Sequence, residues 1–443
     1  MENRDMTSNS FPTRFLFTPE YERLSIDALE NALASASFYG NWRKSDPGSG
    51  FSADRRYADL PILTKSDIRG CFPDGLVPGG LRAADGLNSG EIEAVQTSGT
   101  TEERVGNLWN QEWWNASERA SWKLNDHTLS MDGTQPEALL ATAQSVGVLS
   151  EEDLPMSARR LDRFLFLNDK ISPRSWLDRH YERMIRELEE FSPVVLEANP
   201  SFLGLLAGWA LDHGIPVFSP RVIVFTYELA TSAHLRLIRR VFRSPLASSY
   251  GSTEAGYVFM ECEHGKFHQN SAFCRVDFQP LKARHGGPLR GRILVTTFLN
   301  KWASLVRFDI GDLVTLDDAP ECSCGRQEGI RLASIDGRLA NSTFTAEGTL
   351  VTPRQLDDAL APLSGIRDYQ LEQTGLREYT LRLVAENGSG SVSDSCRDAL
   401  TELYGPGAGV AVEILPALEP SPSGKYRRCW TDFRFDAQGL FDE

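Results

Sequence analysis

Long apolar runs are scarce in this chain of 443 residues: the longest, around Phe202 to Leu211, has the length of a buried helix and falls short of a bilayer span. No membrane partner is therefore expected. Positive charge is also in short supply, with 46 Lys and Arg against 61 Asp and Glu and a net charge of −15. Repulsion between that excess and a polyanion argues against a nucleic-acid partner. Cysteines number seven, an odd count with four of them scattered singly, which does not read as a disulfide framework and fits a cytoplasmic setting. Met1 to Asn9 carries Glu2, Arg4 and Asp5 and no apolar core, so no secretory signal is expected. Repeats and low-complexity tracts are missing too. What remains is a chain with 41% hydrophobic residues, enough to bury more than one core, so two or three domains are expected.

Residues 1 to about 19 read as a loose arm. Tyr21 to Phe38 has a helical apolar face, and Asn41 to Asp54 breaks it. Leu60 to Ile68 reads as an extended entry followed by a helix capped by Thr64 or Ser66. Glu93 to Gln96 is a short strand before the Ser/Gly/Thr loop Thr97 to Thr101, whose backbone N–H groups and hydroxyls suit phosphate oxygens as well as a solvated hairpin. Trp109, Trp113 and Trp114 read as core packing beneath that loop. A strand at Ala138 to Ala143, an amphipathic helix over Trp176 to Phe191, a strand at Val194 to Leu196, a helix over Ser201 to Trp209, a strand at Val222 to Phe225 and a helix over Ala233 to Phe242 then alternate, the pattern of an α/β domain. Gly291 to Phe298 and Leu305 to Phe308 add a β-rich unit. After the polar break Asp336 to Gly348, a helix (Pro353 to Leu360), two strands (Asp368 to Glu372, Tyr379 to Ala385), a helix (Ser393 to Tyr404) and a strand (Val410 to Leu415) make a small α+β unit.

The densest collection of chemistry is Ser248-Ser249-Tyr250-Gly251-Ser252-Thr253-Glu254-Ala255-Gly256, read as a loop at a sheet edge. Tyr250 is suited to stacking on a base, Ser252 or Thr253 to a phosphate, and Glu254 to Mg²⁺, a hard cation that prefers oxygen ligands. A plain Gly/Ser turn between two core elements is the alternative.

The context decides between them. Tyr250 to Gly256 (YGSTEAG) resembles a motif of the acyl-adenylate-forming superfamily of AMP ligases. Thr97-Ser98-Gly99-Thr100-Thr101, Arg307 to Asp312 (RFDIGD), Asp336-Gly337-Arg338 and Pro422 to Arg428 (PSGKYRR) resemble four more, in the family's order. The short length and a cysteine/histidine set bring the chain nearest to the phenylacetate–CoA ligase branch. The resemblance implies a large α/β domain over 1–336 with a β-rich subdomain, and a small mobile α+β lid over 337–443. It also implies roles. Thr97 to Thr101 hold the β- and γ-phosphates of ATP; Tyr250, Gly251 and Ser252 frame the adenine; Thr253 and Glu254 place the α-phosphate and Mg²⁺; Asp312 and Arg338 take the ribose; Lys425 serves the adenylation transition state. Tyr227 and Glu228 line the acyl pocket in the same scheme, with helix capping by Thr226 as the dull alternative. Family members often continue the first loop with Gly-Lys, where this chain has Glu102 and Glu103. Those carboxylates either point away or loosen the grip on a triphosphate.

Cys262 and His268 lie six apart, and Cys322-Ser323-Cys324 follows some fifty residues on, a Cys₃His set suited to structural Zn²⁺. His264 competes for the fourth place, and the branch's pattern favours His268. The implied reaction is ATP-dependent activation of a carboxylic acid, aromatic by analogy with the branch, to an acyl-adenylate with release of pyrophosphate. Transfer to a thiol follows, with coenzyme A expected as the acceptor. A carrier-protein thiol or an amine is the alternative acceptor, and a non-catalytic nucleotide-binding homologue the alternative of a different class. A homodimer is left open. The chain departs from the family at Ala340, where the hinge aspartate is expected, which bears on lid rotation rather than adenylation.

Overall fold

The computed structural model describes residues 15–96, 104–143, 150, 152–386 and 392–441. Val195–Ala198 and Val222–Phe225 are buried at every position, the property of parallel strands covered on both faces. They pair in parallel with each other, with Glu137–Leu140 on one side and with Leu246–Ser252 on the other. Helices Asp178–Phe191, Pro200–His213 and Ser232–Val241 cover one face of these strands. Pro200–His213 begins where the Asn199 side chain accepts from the amides of Ser201 and Phe202, and ends at left-handed Gly214. Helix Gln111–Trp122 lies on the opposite face, where Trp122 packs with Val195, Val222, Val224, Ala247 and Met260. Trp113 is buried as core packing requires, whereas Trp109 and Trp114 are half-buried, Trp114 lying tilted between Trp109 and Tyr257. No described helix is long and apolar enough to cross a membrane.

These strands belong to one sheet of twelve. Its order is Cys274–Pro280, Arg290–Thr297, Phe308–Leu316, Arg331–Arg338, Phe267–Gln269, Gly256–Glu261, Leu246–Ser252, Val222–Phe225, Val195–Ala198, Glu137–Leu140, Phe164–Phe166 and Arg160–Leu161. The β-rich unit expected around Gly291 to Phe298 is its antiparallel half. Leu246–Ser252 is the seam, parallel to Val222–Phe225 and antiparallel to Gly256–Glu261. This corrects the reading of Ser248 to Gly256 as an edge loop: residues through Ser252 are strand in the interior of the sheet, and only Thr253 to Ala255 form the turn. The Ser and Gly content suggested a loop, but pairing on both sides overrides it. Glu93–Gln96 is a strand, paired with Gly106–Trp109 in a separate ribbon. Thr64 caps the helix Lys65–Cys71 in a full capping box with Asp67. Thr226 caps nothing; Thr231 accepts from His234 at the start of Ser232–Val241.

A second sheet of four strands follows, ordered Gly409–Ile414, Glu378–Ala385, Ile366–Gly375 and Cys429–Thr431, with helices Pro353–Leu360 and Val392–Tyr404 sharing its apolar core. The last strand has no signal in the sequence because it is three residues long and follows a Pro/Ser/Gly stretch. Beyond it the chain returns to the large sheet. The Lys282 amide donates to the Leu440 carbonyl at 2.9 Å, Lys282 Nζ to that of Gly439 at 2.8 Å, and Phe441 bridges to Leu281. Leu440 and Phe441 are buried with Leu281, Leu313, Phe344 and Leu350, and the Arg292 guanidinium lies 4.2 Å from the Phe441 ring centre. Phe441→Ala is therefore expected to lower stability by about 3–5 kcal/mol in denaturant unfolding, the range for a buried phenylalanine, and to speed proteolysis of the last residues. Unchanged stability would mean that the tail does not dock.

Candidate active site

The seam strand sets the first part of the site. Tyr250 projects towards the antiparallel half, and its hydroxyl donates to Asp312 Oδ2 at 2.8 Å. Burial and the Asp312 carboxylate push that phenol well above its ordinary range. Asp312 stands opposite Arg338 in the strand register, its Oδ1 3.8 Å from Arg338 Nε. The structure thus brings together three residues that the sequence places 88 positions apart at the extremes, Tyr250, Asp312 and Arg338. One carboxylate oxygen is already engaged by the tyrosine.

At the turn, Asn107 Nδ2 donates to the Thr253 carbonyl at 2.9 Å, and the Ala255 amide donates to Ser252 Oγ at 3.1 Å. Glu254 is 4% exposed, and its Oε1 has no hydrogen-bond partner among the described residues. A buried carboxylate oxygen without a donor is costly and suits a hard divalent cation, so the donor set fits Mg²⁺. Thr97, Ser98, Gly99, Thr100 and Thr101, expected to hold the phosphates, lie outside the described residues, as do Glu102 and Glu103.

Lys425 arrives from the small sheet. Its loop closes on itself, the Ser421 amide donating to the Lys425 carbonyl at 2.7 Å and the Gly424 amide to that of Ser421 at 2.8 Å. Gly424 has φ of 80° and packs so tightly that a Cβ would lie 2.4 Å from the Ile171 carbonyl oxygen; only glycine fits. Burial lowers the proton affinity of Lys425, while Glu228 and Asp312 raise it and Arg338 and Lys65 oppose them. The ammonium therefore sits in the field of the Asp312–Arg338 pair. Glu228, expected to line the acyl pocket, faces this loop.

Its neighbour Tyr227 has a left-handed φ of 74°, uncommon for a bulky residue. The Tyr227 hydroxyl bonds to Glu197, which also accepts from Thr226 Oγ1 at 3.0 Å. Glu197 is one of three carboxylates, with Glu118 and Glu137, whose oxygens lie within 4.8 Å of one another. Tyr257 donates to Glu118 at 2.7 Å and Arg163 to Glu137 at 2.7 Å. Burial, with Glu197 next in weight, pushes Glu118 up to about 7, and burial also raises Glu137 and Glu197. Sequence reasoning missed this cluster, although a glutamate inside the apolar string Val194-Val195-Leu196-Glu197-Ala198 is a signal in itself.

Away from the seam, one ligand atom from each of Cys262, His268, Cys322 and Cys324 lies within 4.8 Å of the others. Cys324 Sγ is 3.2 Å from His268 Nε2, and the Cys262 and Cys322 sulfurs are 3.8 Å apart. His268 belongs to this group and His264 does not. Three thiols and one imidazole in a closed group fit tetrahedral Zn²⁺ with no open position.

No family model and no curated protein matches the sequence. Solved structures do. 2-Hydroxyisobutyryl-CoA ligase in its postadenylation state, in complex with 2-HIB-AMP, superposes with a TM-score of 0.69 at 16% identity, over 95% of this chain and 91% of that one. The same ligase in its thioesterification state gives 0.53 at 18% identity, over 95% and 92%. The amide bond synthetase McbA from Marinactinospora thermotolerans gives 0.51 at 15% identity, over 80% and 69%, and the anthranilate CoA ligase AuaEII in complex with anthranoyl-AMP gives 0.52 at 13%, over 76% and 66%. The twelve-stranded sheet with its parallel–antiparallel seam, followed by a four-stranded sheet, has the fold of these acyl-adenylate-forming ligases.

Proposed function

We propose that the protein activates a carboxylic acid with ATP, forming an acyl-adenylate and releasing pyrophosphate, and then passes the acyl group to a thiol, coenzyme A. The observation that carries this reading is the meeting of Tyr250, Asp312 and Arg338, with the Lys425 charge within their electrostatic reach. In this reading the acid's carboxylate attacks the α-phosphate, an acyl–phosphate bond forms and pyrophosphate leaves. Lys425 is a compact positive charge aimed at the charge that develops there. Asp312, with Arg338 beside it, accepts from the ribose hydroxyls through the oxygen that Tyr250 does not occupy, and Tyr250 flanks the adenine. Thr253 holds the α-phosphate from the turn. Glu254 would hold Mg²⁺, which would supply charge neutralisation on the phosphates. Tyr227, strained and turned towards Glu197, borders the acyl side, and its ring and that of Tyr257 support an aromatic acid.

We further assign residues 1–336 to the large unit, residues 337–443 to the lid, structural Zn²⁺ to Cys262, His268, Cys322 and Cys324, and a cytoplasmic setting. A second reading, delivery to a carrier-protein thiol or an amine, draws support from Ala340 in place of the family's hinge aspartate, because lid rotation serves the thiol step.

A screen of pyrophosphate release over carboxylic acids, with and without coenzyme A, tests the reading; silence with every acid would overturn it. Lys425→Ala should lower adenylation by about 10²–10³-fold, the usual cost of one transition-state contact, while leaving thioester formation from a synthetic acyl-adenylate intact. Equal loss in both half-reactions would remove the assigned role. Asp312→Ala should weaken ATP binding by about 1.5–3 kcal/mol, the worth of a charged hydrogen bond, whereas Glu254→Gln should keep much of the affinity and lose turnover. Calorimetry beside single-turnover adenylation separates the two. For the zinc, metal analysis should find one ion per chain, lost with stability in the Cys322→Ser, Cys324→Ser double variant. Metal-free protein of equal stability would exclude the site.

A further inference from the structure

Glu228 follows the acyl-side strand, yet its carboxylate is committed to the lid. Oε1 accepts from the Tyr426 amide at 2.8 Å. Oε2 accepts from Ser201 Oγ at 2.6 Å, and Arg428 Nη2 donates to that same hydroxyl oxygen at 2.6 Å while lying 3.9 Å from Glu228 Oε2. The side chains of Arg428 and Glu228 are only 4% and 7% exposed. Arg428 also reaches Asp368 and the Tyr369 carbonyl within the small sheet, and Asp368 meets His234 Nε2 of the large unit at 3.1 Å. Tyr426 directly follows Lys425, so the Glu228 bond fixes the backbone one residue from the ammonium.

We propose that Glu228 is a positioning residue for the adenylation step: through the Tyr426 amide and the Ser201–Arg428 bridge it clamps the Lys425 loop to the large unit. The inference rests on the adenylation reading above. Two features make the clamp more than packing. First, the acceptor is a buried carboxylate, and a charge-assisted bond to a backbone amide is roughly twice as strong as a neutral one. Second, the charged groups that face Lys425 are Glu228, Asp312, Arg338 and Lys65, and Glu228 is the largest influence opposing the loss of the proton. The sign follows. Lysine is the active form when charged; burial makes it titrate low; removing the Glu228 charge makes it titrate lower still, so the alkaline limb of the rate profile moves to lower pH. Because Thr226 and Tyr227 are bonded to Glu197 at the acyl side, the same short segment connects the acid's surroundings to the lid's catalytic group.

The test uses Glu228→Gln, Glu228→Ala and Ser201→Ala in the full chain. Glu228→Gln retains an acceptor for the Tyr426 amide and loses the charge. It should lower kcat for pyrophosphate release, with KM for ATP and acid unchanged and the alkaline limb displaced to lower pH. Glu228→Ala loses the clamp as well and should fall on the order of a hundredfold, the effect of misplacing a catalytic group by about an ångström. Ser201→Ala, which removes only the bridging hydroxyl, should show a smaller fall of the same kind. Hydrogen exchange gives a readout independent of catalysis: the peptide spanning Ser421 to Arg428 should exchange fastest in Glu228→Ala, with Glu228→Gln between it and wild type. A rise in acid KM with kcat and pH profile intact would make Glu228 a pocket residue and overturn the proposal. Unchanged exchange in Glu228→Ala would overturn it as well. Failure of the wild-type protein to release pyrophosphate with any acid would instead strike the adenylation reading, while exchange still reports the clamp.

Discussion

The architecture hangs on a close approach of two backbones. A Cβ on Gly251 would lie 2.0 Å from the carbonyl oxygen of Gly256, and one on Gly256, where φ is 69°, would lie 2.8 Å from the Trp113 ring. No side chain can occupy either place without moving backbone or the buried indole. That pinch lets one strand finish a parallel run beside Val222–Phe225 and turn at once into an antiparallel partner, with the register slipping between Tyr250 and Gly251. The turn it leaves is short and rigid. Glu254 is buried in it, while Tyr250, on the strand before it, reaches across to Asp312. A looser hairpin would hold neither carboxylate at a fixed place relative to the lysine loop.

Much of this was legible because it follows from local chemistry. Thr64 with Asp67 three residues on is a capping box and forms one; Pro353 to Leu360 begins after a capping threonine and forms a helix with those bounds. The buried strands read as apolar runs, and Tyr250, Asp312 and Arg338, each from a different motif segment, lie together in the structure. What escaped is long-range. Strand pairing on both sides of Leu246–Ser252 cannot be read from a Ser/Gly string, and the convergence of Glu118, Glu137 and Glu197 requires a helix, a strand start and a strand end to be folded onto one face. Glu228 illustrates the same limit: the family resemblance implied the acyl pocket, and the bond it accepts from the Tyr426 amide, 198 residues away, is visible only in the fold.

Buried charge is handled differently in the two clusters. Glu118, Glu137 and Glu197 share one arginine, Arg163, and burial raises all three above the ordinary carboxylate range. Protonation relieves the repulsion that three close anions would suffer. Around Arg428 the balance is reached by pairing: the guanidinium is held by Asp368 and bridged to Glu228, and Asp368 is lowered against the pull of its burial because Arg428 and His234 stabilise its anion. Removing one partner of such a set strands a buried charge, which costs far more than the intact set contributes. The small sheet therefore has a defined seat on the large one.

That seat is polar. Arg367 pairs with Asp212, Arg240 with Glu386, and Ser232 donates to Asp357, while Arg236 donates to the Ala361 carbonyl. The exposed ion pairs among these contribute about 0–1 kcal/mol each, whereas Asp357 is buried and its bonds from Ser232 belong to the fixed part of the seat. The tail is different, because Leu440 and Phe441 are buried among apolar side chains of the large sheet and its neighbouring hairpin. Release of that contact exposes apolar surface and is expensive. The small sheet is thus joined to the large unit at both ends, at Arg338 to Asn341 before it and at Gln438 to Phe441 after it. Phe441 packs at once with Leu281 and Leu313 and with Phe344 and Leu350 of the neighbouring hairpin, so the tail ties that hairpin to the large sheet.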